Sequence, residues 1–258
     1  MKKLKLILPV LLLTLLACHK DTNTNNTQTQ VTNHTPNGGA AVTIPSGAAG
    51  AFYAINTINY NNNGSGYDTT DIGLGYAWFG NYTTTLNAGS VYVTGDSLYT
   101  NNPNLGGLVN FPWYETDITN QFTFNGNAVT WNVQGNSANS IPAINYTDNT
   151  VFPVVNGLTL SNPVSISSSV TVHFTVTGAY DAIFYALAGS NTQQQTSFTG
   201  TNGATSATFT PAQLSAVTGS GGQLSITVMP VKLTPYTVSG KTYYFVKQGA
   251  YSVSTIVQ

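Results

Sequence analysis

Val170-Thr171-Val172-His173-Phe174-Thr175-Val176-Thr177 alternates apolar and polar side chains without a break. A β-strand points successive side chains to opposite faces, so this run predicts a strand with one buried face and one wet face. Ala182 to Leu187, which follows it, is apolar at both parities and predicts a central strand covered on both sides. Leu224, Ile226 and Val228 mark a further strand, and Tyr243 to Val246 and Tyr251 to Val257 the last two. Between these runs, Thr210-Pro211-Ala212-Gln213-Leu214-Ser215-Ala216-Val217 offers an N-cap, a proline at the first helical position and a stop at Gly219. It predicts one short helix.

Upstream, the period-two pattern runs from Val42 onward, with turn residues about every 8–12 positions, the spacing of a sandwich or barrel. Phe122-Thr123-Phe124-Asn125-Gly126-Asn127-Ala128-Val129-Thr130-Trp131 reads as a hairpin around Asn-Gly, the preferred pair for a two-residue type I′ turn. That register sets Phe122 opposite Val129 and places Phe122, Phe124, Val129, Trp131 and Val133 on one face, with Trp131 in the core. A second hairpin, Val91 to Leu98, is expected to turn at Gly95-Asp96.

The strand order after Val154, with a single helical turn between the fifth and sixth strands, resembles an immunoglobulin-like sandwich of the fibronectin type III kind. The likeness covers Val154 to Gln258 and lacks the Cys-Trp-Cys pattern of antibody domains. Prolines mixed with Asn and Asp between Ile141 and Pro153 suggest a boundary. The expectation is therefore an all-β protein of two β-sandwich domains, 41–153 and 154–258, the second immunoglobulin-like. One larger sandwich is the alternative.

The first 40 residues read differently. Lys2, Lys3 and Lys5 form a basic n-region and Leu6 to Leu16 an apolar run broken only by Pro9 and Thr14. That run is shorter than the ~20 apolar residues that span a bilayer. Leu15-Leu16-Ala17-Cys18 resembles the bacterial lipobox, which implies cleavage before Cys18 and acylation of its thiol, leaving 1–17 as a lipoprotein signal peptide. The other reading is an ordinary signal peptide with a chance cysteine. Cys18 is the only Cys, and a secreted chain seldom keeps a lone thiol without a use. No intrachain disulfide is available, so the fold must stand on its core and its ladders.

Residues 18–40 are dominated by Thr, Asn and Gln and predict a disordered tether, with a reach of roughly 25 Å as a flexible coil. His19 and His34 in it are expected to be solvated. His19 stands where proteobacterial inner-membrane lipoproteins carry a retention Asp, and His19-Lys20-Asp21 faintly resembles the charged export signal of Bacteroidota surface lipoproteins. The whole arrangement resembles the Bacteroidota outer-membrane and surface lipoproteins built from tandem immunoglobulin-like sandwiches. That resemblance implies the outer membrane and leaves the leaflet open.

Charged residues are 6% of the chain, against about 25% in an average protein, and there is no Arg. Without the signal peptide, four Lys face eight acids, a net charge of −4. So thin a negative field argues against a nucleic-acid partner, which needs clustered Lys and Arg, and leaves the lipid anchor as the route to the membrane.

Catalytic signals are sparse. No Gly-x-Ser-x-Gly elbow, His-Glu-x-x-His, phosphate loop or dinucleotide fingerprint occurs. His173 is the one His beyond the tether. The carboxylates of the globular region are Asp68, Asp71, Asp96, Glu115, Asp117, Asp148 and Asp181. A glycosidase needs two of these about 5–10 Å apart across a cleft, and Glu115 and Asp117 would share a strand face. Two binding features stand out more. Tyr76 to Tyr82 and Asn110 to Tyr114 gather aromatics beside Gly, Pro and Asn, so that Trp78, Tyr82, Trp113 and Tyr114 are candidates to stack on a sugar while amides bond its hydroxyls. Their alternative role is core packing. Asn61 to Asp71 is rich in oxygens and turn formers, and calcium, if it binds, is expected to use Asp68 and Asp71. No other cofactor is implied. The sequence favours a non-catalytic, membrane-anchored module that binds a glycan or a surface protein, with an envelope-anchored polysaccharide hydrolase using a carboxylate pair as the alternative.

Overall fold

A computed structural model describes residues 44–258, apart from 63–66, 82–83, 101–113, 117–122, 125–127, 161–162, 190–191, 201 and 220. The described part is almost entirely β, as its alternation predicts. In chain order the strands are β1 (Gly50–Asn62), β2 (Tyr67–Asn81), β3 (Thr84–Thr85), β4 (Val91–Val93), β5 (Asp96–Thr100), β6 (Tyr114–Thr116), β7 (Val129–Val133) and β8 (Ile144–Asp148). They continue as β9 (Val154–Thr159), β10 (Val170–Thr177), β11 (Ala182–Gly189), β12 (Thr192–Gly200), β13 (Ser206–Phe209), β14 (Gln223–Val238) and β15 (Lys241–Ile256). One α-helix, α1 (Pro211–Ser215), separates β13 from β14, and Thr210 and Gln213 close a capping box at its start.

Strands β9 to β15 form a β-sandwich. Sheet order β13-β10-β9 faces the β12-β11-β14-β15 part of the second sheet. β10 buries Val170, Val172 and Phe174 and exposes Thr171, His173 and Thr175. β11 lies between β12 and β14, and its residues Ile183 to Leu187 are all buried, as an apolar run covered on both faces requires. Val172, Phe174, Ile183, Leu187, Leu224 and Ile226 lead the core between the sheets.

The second sheet does not stop at β15. β1 pairs in parallel with β15, from Gly50↔Tyr243 to Tyr60↔Val253, and the path continues β1-β2-β6-β5-β4-β7-β8. The strands of 41–153 therefore extend the sheet of 154–258. This extension curls over without closing, so that Trp131 on β7 lies 5.1 Å from the ring of Phe52 on β1, and Tyr146 on β8 4.2 Å from Phe245 on β15. A second core, with Phe52, Phe79, Val91, Val93, Trp131 and Phe245, fills the curl.

β14 and β15, 16 residues each, serve both of these cores, and their Met229, Val231, Val246 and Ala250 join a third around Trp78. Sequence gaps had suggested that Tyr243 to Val246 and Tyr251 to Val257 were separate strands, but one ladder runs through both. The interruption survives as a break in pairing, since the β14–β15 register passes from Val228↔Tyr251 to Val231↔Gln248, skipping Met229 and Pro230 on one strand and Gly249 and Ala250 on the other. Pro230 has no N–H to give. At Gly249 a Cβ would stand 2.6 Å from the carbonyl oxygen of Pro153, because the chain crosses the sheet there on its way from one core to the other. Lys247 is buried at this seam, with Nζ 3.8 Å from Asp148 Oδ1, donating to the Asp148 carbonyl at 3.0 Å and lying 5.0 Å from the ring of Phe152.

Two hairpin expectations change. β4 and β5 pair Val93 with Asp96, so the turn is Thr94-Gly95, one residue earlier than expected. Both residues have positive φ, 49° and 95°, as a type I′ turn demands. β7 pairs on one side with β8 and on the other with β4, and Thr123 and Phe124 belong to no strand. Phe122 and the Asn-Gly turn lie outside the described residues. Phe124, Val129, Trp131 and Val133 nevertheless share the second core.

Candidate functional site

Two of the aromatic candidates are core residues. β2 is covered on both faces, with Phe79 in the second core and Tyr76 and Trp78 in the third cluster on the opposite face. Trp78 is 1% exposed among Tyr53, Phe184 and Val231. Tyr114 is 3% exposed and its hydroxyl is committed, accepting from Ala88 N at 2.8 Å and donating to Asn87 Oδ1 at 3.2 Å. Neither ring is presented to a ligand. Tyr82 and Trp113 lie outside the described residues, as do Cys18 and the tether.

The calcium expectation rested on a turn-forming stretch, but Asp68 and Asp71 both fall within β2, where Asp68 pairs with Asn61 and Asp71 with Ile58. An odd separation along a continuous strand puts the two positions on opposite faces of the sheet, so the strand does not bring them together. Asp71 is exposed. No group of three or more His, Cys, Asp or Glu is placed to hold a metal among the described residues.

The remaining carboxylates are dispersed. Asp148 is at the buried seam, and its Oδ1 accepts from the N–H and hydroxyl of Thr150. Asp181 pairs with Lys232 at 2.9 Å and accepts from Leu233 N. Asp96 opens β5 beside the turn, and Asp117 is outside the described residues. His173 is exposed on β10 with Ser206 opposite.

What the fold does carry outward is a sheet face that sequence clustering did not pick out. β4 buries Val91 and Val93 and turns Tyr92 to solvent at 38% exposure. β5 buries Leu98 and turns out Tyr99, at 55%. The registers Asn145↔Asn132, Asn132↔Tyr92 and Tyr92↔Ser97 line these residues up across β8, β7, β4 and β5. Strands lie about 4.8 Å apart, so this row of two amides, a ring and a hydroxyl is roughly 15 Å long. On the same face, Thr130 and Thr147 share a hydroxyl–hydroxyl bond of 2.9 Å.

A second row, Tyr99↔Glu115↔Tyr76↔Tyr53, leads from the exposed ring into the buried part of the sheet. Partial burial raises the Glu115 carboxyl above the ordinary range, and burial followed by the Glu115 charge pushes the Tyr76 phenol up. No cation faces this surface among the described residues. Lys232 serves Asp181, Lys241 donates to Ser140 O, and Lys247 is buried.

The signal for Tyr92 and Tyr99 was parity: each sits where strand alternation calls for a polar residue, between buried Val91 and Val93 or beside buried Leu98. An open pocket of about 260 Å³ lies between β12 and β13, walled by Tyr185, Thr199, Ser206 and Phe209. Its Gln213 is held in the helix cap and its Thr208 by Thr171, which leaves few free polar groups. No helix among the described residues is long and apolar enough to cross a membrane. Compared with known family models and with curated proteins, the chain matches none.

Proposed function

We propose that this chain is a lipid-anchored, non-catalytic binding module of the cell envelope, held at the outer membrane through acylated Cys18 and presenting the β5-β4-β7-β8 face to a glycan or surface protein. The observation that carries the reading is the pair of outward tyrosines beside amides and hydroxyls on a strand-paired, well-cored sheet. Rigid rings lose little conformational entropy on binding and combine an apolar face with a polar tip. The lipobox-like Leu15 to Cys18, the basic run before it and the Thr/Asn/Gln-rich stretch after it support the anchor. Two or more acyl chains on Cys18 would hold the chain firmly, where one binds only marginally.

One observation favours the second reading, a polysaccharide hydrolase. Partial burial shifts the Glu115 carboxyl upward, the direction in which a general acid is tuned. It also needs a second carboxylate about 5–10 Å away, and Asp117, two residues on, is the candidate.

The test is made on the full chain in its native membranes. Cys18→Ser should abolish labelling by a clickable fatty acid and move the protein from the membrane to the soluble fraction. Labelling that persists in that variant overturns the anchor. Release of reducing ends from envelope polysaccharide that stops in Glu115→Gln would replace the binding reading with the hydrolase.

A further inference from the structure

We infer that the ligand of the β5-β4-β7-β8 face is an uncharged polysaccharide, lying across the strands with its sugar rings on Tyr92 and Tyr99 and its hydroxyls on Asn132 and Asn145. This inference rests on the binding reading above and narrows it to one chemical class. It joins three observations.

The first is charge. No cation faces the row among the described residues, and the acids described beside it are Glu115, opposite Tyr99, and Asp96, next to Ser97, so an anionic polymer would meet repulsion with no compensating ion pair. A basic partner would need a cluster of acids, and the two described here stand on different strands, Asp96 at the turn end of β5 and Glu115 on β6.

The second is the mixture of groups. A sugar ring offers an apolar C–H face and a rim of hydroxyls, each both donor and acceptor. Tyr92 and Tyr99 provide flat faces for the former, and the Asn side chains provide donors and acceptors for the latter. Asn145 is exposed and Asn132 half-buried.

The third is layout. Tyr92 is opposite Ser97, so Tyr99, two residues along β5, is its diagonal neighbour, at about 7–8 Å between backbone positions. Both residues project from the same face, with no described strand packed over it. The row is roughly 15 Å long, the reach of several sugar rings, which suits a stretch of polymer rather than a single sugar.

The experiment is affinity electrophoresis of the detergent-solubilised full chain in gels containing a neutral β-glucan, mannan or xylan, or anionic alginate or pectate. At least one neutral polymer should retard the protein. Tyr92→Ala/Tyr99→Ala should weaken that binding tenfold or more, Asn132→Ala severalfold, and Tyr92→Phe/Tyr99→Phe less than threefold, since the ring is kept. Both tyrosine pairs should melt within a few degrees of wild type, because the rings are exposed. Retardation by anionic polymers alone, or by no polymer, overturns the inference. A peptide or anionic ligand lost in Tyr92→Ala/Tyr99→Ala would leave the binding face standing and overturn only its neutral-glycan assignment. Binding unchanged in that variant overturns both.

Discussion

Trp131 shows what a single ring does in the curled half of the sheet. It is 1% exposed, 5.1 Å from Phe52 and 6.4 Å from Phe245, so it ties the returning strand β7 to β1 and β15 across the core. Truncation to Ala leaves a cavity that these flanking aromatics can only partly fill. We expect Trp131→Ala to cost about 3–5 kcal/mol in urea unfolding, and a loss under about 1 kcal/mol would mean that the curl does not depend on this contact. Its place in the core was legible from alternation alone. The fate of Trp78 was not, because a run of aromatics in a strand covered on both faces looks, in sequence, like a run on display. Alternation tells the faces apart but not whether a neighbouring strand or layer covers each one.

At the scale of elements, the most legible strands were those whose environment is local: β10, with one wet face, and β11, apolar at both parities. The short helix was equally plain, since Thr210, Pro211 and Gln213 carry their own capping chemistry. Hairpin partners were harder. Val129 to Val133 has the pattern of a strand, but one of its partners, β4, lies about 40 residues upstream, and nothing in the local pattern of β7 announces that pairing. The Thr94-Gly95 turn shows the limit from the other side. Thr94 is β-branched at φ 49°, a conformation such residues resist and Asn tolerates. Thr94→Asn gives the turn the preferred Asn-Gly pair and should stabilise the protein by about 0.5–1 kcal/mol in urea. A loss instead of a gain would mean that the Thr94 side chain makes a contact worth more than its backbone strain.

For the whole molecule the decisive place is the seam, where the path from the first core to the second crosses β15. The composition change near Pro153 was readable, but the parallel β1–β15 ladder was not, because nothing local announces that a strand at residue 50 will pair with one at residue 243. Lys247 sits where the two cores meet, its ammonium buried between the Asp148 carboxylate, main-chain carbonyls and the Phe152 ring. Burial lowers its pKa below 10.5, and Asp148 opposes that shift only in part. Between the lowered folded value and 10.5 the unfolded chain binds more protons than the folded one, so stability must rise with pH across that window. Above about pH 10 the effect is masked, because the buried phenols of Tyr76, Tyr114 and Tyr243 have raised pKa values and their contribution to stability is lost as they ionise in the folded state. The measurement is therefore urea unfolding in steps from about pH 7 to pH 9.8, for wild type and for Lys247→Met/Asp148→Asn, which removes both charges and avoids the roughly 3–5 kcal/mol cost of leaving one of them alone. Wild type should gain stability toward the alkaline end in a single transition, and the double variant should hold a flat profile. Parallel profiles would show that Lys247 is not the group whose proton is lost, and that the seam is held by packing against Gly249 and Phe152 rather than by its charge.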